Sequence, residues 1–120
     1  MTPDPAAGLT GPPPPPAARL QAVLFDMDGL LVDSEGQWFA AECAVMARLG
    51  GTWDTAQAEA LVGSDLLASG AYLARAAGSD VPPGTVTGWL VADMAARLSA
   101  EVRLRPGARD LLAALAAAGV

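Results

Sequence analysis

Four consecutive apolar residues, Ala22-Val23-Leu24-Phe25, end at Asp26. A short unbroken apolar run predicts a parallel strand covered on both faces. Asp26 then stands at the carboxyl end of that strand, where open α/β sheets take their ligands. From Asp33 the spacing of apolar residues becomes helical. Asp33 or Ser34 can cap a first helix with Glu35 in its first turn, Trp38, Phe39, Val45, Met46 and Leu49 on one stripe, and Gly50-Gly51 as its end. Thr55 to Val62 reads as a second, shorter helix. Ser64 to Ala77 reads as a third, with Leu66, Leu67, Leu73 and Ala77 on its apolar side and Gly78 as its stop. Pro82-Pro83 opens a fourth, carrying Val86, Leu90, Met94 and Leu98. Pro106-Gly107 starts a fifth, carrying Leu111, Leu112 and Leu115 and ending at Gly119. One strand and a run of helices predict an α/β protein of which most of the sheet lies elsewhere, because a parallel strand needs neighbours.

Ahead of this pattern, residues 1–18 form a Pro/Ala/Gly tail with polyproline at Pro12 to Pro16. A disordered tail is expected there, with a ligand for a proline-binding module as the other reading. The fold is expected to begin near Arg19 or Leu20.

Composition narrows the functions. The net charge is −6 and every basic residue is an arginine, with no lysine and no basic run. Nucleic-acid binding is therefore not expected. A single cysteine, Cys43, and the absence of histidine exclude an internal disulfide and the usual zinc sites. Cys43 is expected to be a buried structural thiol. No signal peptide and no span of membrane length are visible, so the expected location is cytoplasmic, with no membrane partner.

The chemistry concentrates in Asp26-Met27-Asp28-Gly29. Two carboxylates two residues apart follow the apolar run, and Gly29 permits a tight turn whose successive N–H groups can form an anion-binding nest. Carboxylates beside such a nest suit a magnesium ion with a phosphoryl group, since the cation lets acid and phosphate meet. A bare D-x-D-G is equally compatible with a surface turn of solvated acids.

The longer segment Phe25-Asp26-Met27-Asp28-Gly29-Leu30-Leu31-Val32-Asp33-Ser34-Glu35 resembles the first motif of the haloacid dehalogenase (HAD)-like hydrolase superfamily. The resemblance is to its phosphatase and β-phosphoglucomutase-like branch, and it extends over residues 20–120. It implies a Rossmann-like core, here with only the first strand and a returning helix, and an inserted α-helical cap. The implied boundaries are 19–34 for the first strand and catalytic loop, 35–102 for the cap, and 103–120 for the return to the core. That return runs through Leu104-Arg105-Pro106-Gly107. The resemblance also implies roles. Asp26 would attack phosphorus to form an aspartyl-phosphate, and Asp28 would act as general acid and base. The backbone of Met27, Asp28 and Gly29 would bind phosphate. Mg2+ would be held by the Asp26 side chain and the Asp28 backbone carbonyl. Gly63 and Ser64, in Leu61-Val62-Gly63-Ser64, are similar to a cap loop that helps choose the substrate. Asp33 would serve as helix cap and hinge. Asp28 favours phosphoryl transfer over dehalogenation, because an alkoxide leaving group needs a proton and a halide does not.

The implied activity is that of a magnesium-dependent phosphatase or phosphomutase acting on a small phosphorylated metabolite. The family pattern also needs a Ser/Thr, a Lys (sometimes Arg) and an acidic pair after the cap; the sequence stops at Val120 and holds no lysine, so the basic role is open only to an arginine. A truncated form with little activity of its own is therefore expected. The alternative is a non-catalytic remnant serving as a helical protein-binding module. Substrate identity and oligomeric state are not legible in the sequence.

Overall fold

The computed structural model describes residues 19–120. The expected disordered tail and polyproline segment, residues 1–18, lie outside the described residues. Among the described residues five helices follow one another: α1 (Glu35–Leu49), α2 (Thr55–Glu59), α3 (Leu66–Ala76), α4 (Pro83–Ala100) and α5 (Ala108–Ala117).

Local chemistry accounts for most of the boundaries. Gly50 ends α1 in the left-handed region, with φ 78°, its N–H returning to the last turn. Asp54 and Gln57 form a reciprocal capping box on α2. The Asp65 side chain accepts from the Ala68 N–H at 2.8 Å to start α3. Pro83 opens α4 at the position where a missing N–H costs nothing. Helix α2 is shorter than the Thr55 to Val62 span expected, since the chain turns through 60–63 with Gly63 at φ 78°.

Helices α1, α3 and α4 enclose the core. Val45 and Met46 of α1, Leu73 of α3, and Val86, Leu90 and Met94 of α4 are buried together with Leu61. Val86, Leu90 and Met94 recur every fourth residue, so they share one face of α4. Helices α3 and α4 approach closely at Gly70. A Cβ there would lie 2.6 Å from the Pro83 carbonyl oxygen and would overlap the Thr87 hydroxyl. Arg48 of α1 stacks 3.6 Å over the Trp89 ring of α4, closing the outer side of the helix pair.

Several expectations are corrected. The α/β, Rossmann-like core is not formed: the described residues are helical, with no strand and no sheet. Ala22 to Phe25 has no regular secondary structure, and Leu24 is 98% exposed. A strand exists through its ladder of hydrogen bonds, and no neighbouring strand among the described residues supplies one. What pairing there is consists of isolated bridges, Asp28 with Val32 and Val32 with Leu104. Leu66 and Leu67 are exposed, because α3 turns Ser69, Gly70, Leu73 and Ala74 inward instead. Leu111 and Leu112 are exposed as well, since α5 packs against none of the other helices. Cys43 is half-buried rather than buried. Ser34, not Asp33, takes the N-cap position of α1, and it makes no side-chain capping bond.

Candidate active site

Asp26 and Asp28 stand on a compact turn. The Met27 carbonyl accepts from the N–H groups of Leu31 and Val32, each at 3.0 Å, and Gly29 N–H donates to the Val32 carbonyl at 2.8 Å. Gly29 has φ 77°, a conformation that L residues with a side chain rarely adopt. A Cβ there would also come within 3.2 Å of the Glu35 Oε1 atom.

The turn is tied down on two sides. Asp33 N–H donates to the Arg103 carbonyl and Arg105 N–H to the Leu31 carbonyl, both at 2.8 Å. The chain entering the helical body at 31–33 thus runs antiparallel to the chain leaving it at 103–105. The Arg105 guanidinium lies 3.8 Å from the Asp33 carboxylate, an exposed pair of little energetic weight. Beside it, the Arg103 guanidinium, through its hydrogen bond first and its charge second, holds the Glu101 carboxyl below the usual range.

On the other side, Ser34 Oγ donates to Asp28 Oδ1 at 2.8 Å and Trp38 Nε1 donates to the same oxygen at 3.4 Å. Ser34 and Trp38 are one helical turn apart on α1, so the start of that helix grips the Asp28 carboxylate. The Asp26 Oδ1 atom accepts from the Met27 N–H at 2.9 Å. None of the hydrogen bonds formed among the described residues uses the other oxygen of either carboxylate. Of the three backbone N–H groups expected to bind phosphate, Met27 and Gly29 are engaged within the turn.

Asp26, Asp28, Gly63 and Ser64 line one cleft of about 510 Å³. Ser34, Glu35, Trp38 and Glu42 line the same cleft from α1, and Leu61, Leu66 and Leu90 contribute apolar walls. Sequence reasoning placed Trp38 on an apolar stripe and passed over Ser34, Glu35 and Glu42 as ligand-facing groups. The only signal available was their spacing: Ser34, Trp38 and Glu42 recur every fourth residue. Glu42 is buried, and its Oε2 atom accepts from Trp53 Nε1 at 2.9 Å. Burial pushes its carboxyl above the ordinary value, with the Trp53 bond partly offsetting the shift.

The donors at the turn are all oxygen: two carboxylates and backbone carbonyls. Magnesium accepts such a set, since it binds one or two carboxylates and fills its remaining positions with water and substrate phosphate. No group of three acidic, histidine or cysteine side chains gathers into a fuller metal site among the described residues.

A 32-residue stretch of this chain is similar to a phosphatase. Hexitol phosphatase B of Escherichia coli, in strain K12 and in O157:H7, is 59% identical over those residues, 27% of this chain. The matched part spans 14% of the length of these curated relatives. No family model matches the chain, and no solved structure matches it. No helix among the described residues is long and apolar enough to cross a membrane.

Proposed function

We propose that this chain carries the nucleophile and the acid/base of a HAD-like phosphatase that acts on a small phosphorylated metabolite in the cytoplasm. The observation that carries this reading is the grip of Ser34 and Trp38 on Asp28 at the wall of a cleft that Asp26 also lines. The short similarity to a phosphatase supports it.

In this reading Asp26 Oδ2 attacks phosphorus, while the Met27 N–H holds Oδ1 and fixes the carboxylate plane. The bond from phosphorus to the ester oxygen breaks as Asp28 Oδ2 delivers a proton to that oxygen, so the leaving group departs as a neutral alcohol. The aspartyl-phosphate is then opened by water. Asp28 takes the water proton, the water oxygen bonds phosphorus, and the Asp26 carboxylate is released with inorganic phosphate. Ser34 and Trp38 keep Asp28 Oδ1 occupied throughout, so the proton moves on Oδ2 alone. Mg2+, held by the Asp26 side chain and the Asp28 carbonyl, would offset the charge on the phosphoryl oxygens. Transfer of the phosphoryl group to a sugar instead of water would make the same site a mutase.

The test is Asp26→Asn in a longer, active protein that contains this segment, with hydrolysis of an aryl phosphate measured in the presence of magnesium. Loss of turnover supports the reading, and activity at the unsubstituted level overturns it.

A second reading, a helical protein-binding module, is favoured by one observation. Val23 and Phe25 face Leu112 and Leu115 of α5 across a shallow cleft of about 270 Å³, with Leu24 and Leu111 exposed beside it. Aryl phosphate hydrolysis abolished by Asp26→Asn decides against it.

A further inference from the structure

The cleft of Asp26 and Asp28 has two unlike walls. Asp26, Asp28, Ser34 and Glu35 line the first, which is made by the aspartate turn and the start of α1. The second comes from α2, the turn through 60–63 and the start of α3. It supplies the apolar side chains of Ala58, Leu61, Val62 and Leu66. Of its polar members, Ser69 spends its hydroxyl proton inside α3, on the Asp65 carbonyl at 3.0 Å.

The second wall is built, not loose. Leu61 is buried in the core and anchors it. The N–H groups of Leu61, Val62 and Ser64 donate to the carbonyls of Ala58, Glu59 and Leu61 at 3.0, 3.3 and 2.9 Å. Gly63, at φ 78°, turns the chain after Val62. Val62 is thereby held away from the core and is 82% exposed, while Leu66 is 43% exposed at the first position of α3. Neither side chain has a polar atom, so each offers only carbon to the cleft in any rotamer. Covering such surface removes it from water, and ligand pockets are commonly lined this way with a few polar groups to fix orientation.

The charges along the cleft are of one sign. Asp26, Asp28, Glu35 and Glu42 line it, and no arginine does. Magnesium offsets the charge of the phosphoryl group, but a second anionic group on the leaving alcohol would meet these acids without a counterion. Hydroxyls along the alcohol would lose water against Ala58, Val62 and Leu66 and gain no side-chain partner from them.

Resting on the phosphatase reading, we infer that the wall of Val62 and Leu66 determines specificity, and that the substrate is the phosphate monoester of an uncharged alcohol with a short apolar chain. The phosphoryl group lies at Asp26 and Asp28, and the carbon chain covers Val62 and Leu66. Discrimination rests on the leaving alcohol alone, so the steps at phosphorus are those of the reaction above.

The experiment measures kcat/KM of a longer, active protein that contains this segment, with magnesium, for isopentyl phosphate, glycerol 1-phosphate and 3-phosphoglycerate. All are esters of primary alcohols, so their intrinsic reactivities are alike and the ratios report the wall. Isopentyl phosphate should be preferred over both others. Val62→Thr keeps the branched shape and adds a hydroxyl, and should shrink the preference over glycerol 1-phosphate roughly tenfold, mainly through KM. Leu66→Gln should move the ratio in the same direction, and both residues lie outside the buried core. Equal rates, or a preference for either polar ester, overturn the inference, as does a ratio unchanged in both variants. Hydrolysis of any of these esters that Asp26→Asn abolishes leaves the phosphatase reading standing in those cases. Hydrolysis of none of them overturns that reading and the inference with it.

Discussion

Ser34 Oγ donates to Asp28 Oδ1 at 2.8 Å, and that bond joins the turn bearing both aspartates to the first residue ahead of α1. Ser34 is buried while Asp28 is exposed, so the bond ties a solvent-facing carboxylate to a fixed donor. At an N-cap position a serine hydroxyl ordinarily accepts from the helix backbone. Here its hydroxyl serves Asp28 instead, and its carbonyl alone receives the first helical N–H groups. Cap stability is given up to orient a carboxylate.

Ser34→Ala should therefore slow phosphate ester hydrolysis by roughly ten- to hundredfold, the scale of one hydrogen bond to a charged group. The helix should persist, because Ser34 contributes no side-chain cap. Trp38→Phe should act in the same direction but more weakly, given its 3.4 Å bond. Steady-state kinetics with circular dichroism check both. A Ser34→Ala variant of full activity would show that the bond does not position Asp28.

Asp26→Asn and Asp28→Asn should differ in kind. An amide at 26 has no competent nucleophile, so turnover should fall by roughly a thousandfold or more. An amide at 28 leaves the nucleophile but cannot carry the proton, so a phosphorylated protein should form and decay slowly. Rapid quench with mass analysis of the protein distinguishes them. Equal single-turnover rates for Asp28→Asn and the unsubstituted protein would remove Asp28 from the acid/base role.

Gly70→Ala should destabilise the helical body by about 1–3 kcal/mol, the usual cost of overpacking. The new methyl group would press on the Pro83 carbonyl and the Thr87 hydroxyl, and backbone on both helices resists movement. Urea unfolding of the two proteins measures it. Gly36→Ala is the control, since a Cβ at Gly36 meets nothing within 4 Å.

Glu42 should make stability depend on pH. Its folded pKa is raised above the ordinary 4.5 by burial. The protonated form therefore favours the folded state, and that contribution is complete below the unfolded value. It is lost as pH rises through the folded value. Glu42→Gln keeps the shape without the charge. Its stability relative to the unsubstituted protein should rise between pH 4 and pH 7. Melting temperatures of the pair across that range give the answer, and a constant difference would contradict the burial argument.

The helices were legible in the sequence because their causes are local. Asp54 with Gln57, Asp65, Pro83 and the left-handed Gly50 each act within a turn of chain. The period of Val86, Leu90 and Met94 likewise marks a buried face without reference to any partner. The turn that carries Asp26 and Asp28 was legible for a similar reason, since an acidic pair followed by glycine is a local pattern. Strand formation at Ala22 to Phe25 was misjudged because pairing is not local: four apolar residues become a strand only when another strand meets their N–H and C=O groups. The exposure of Leu66, Leu67, Leu111 and Leu112 follows from the same limit, since periodicity orders a helix surface but packing decides which part is covered. Long-range placement also brought Gly63 and Ser64 to the cleft of Asp26 and Asp28, and set Glu42 there with Trp53 behind it. It paired 31–33 with 103–105 across some seventy residues of intervening chain. Each of these depends on where separate helices dock, which is settled by the fit of packed surfaces, such as the Gly70 backbone against Pro83 and Thr87, and not by any one segment alone.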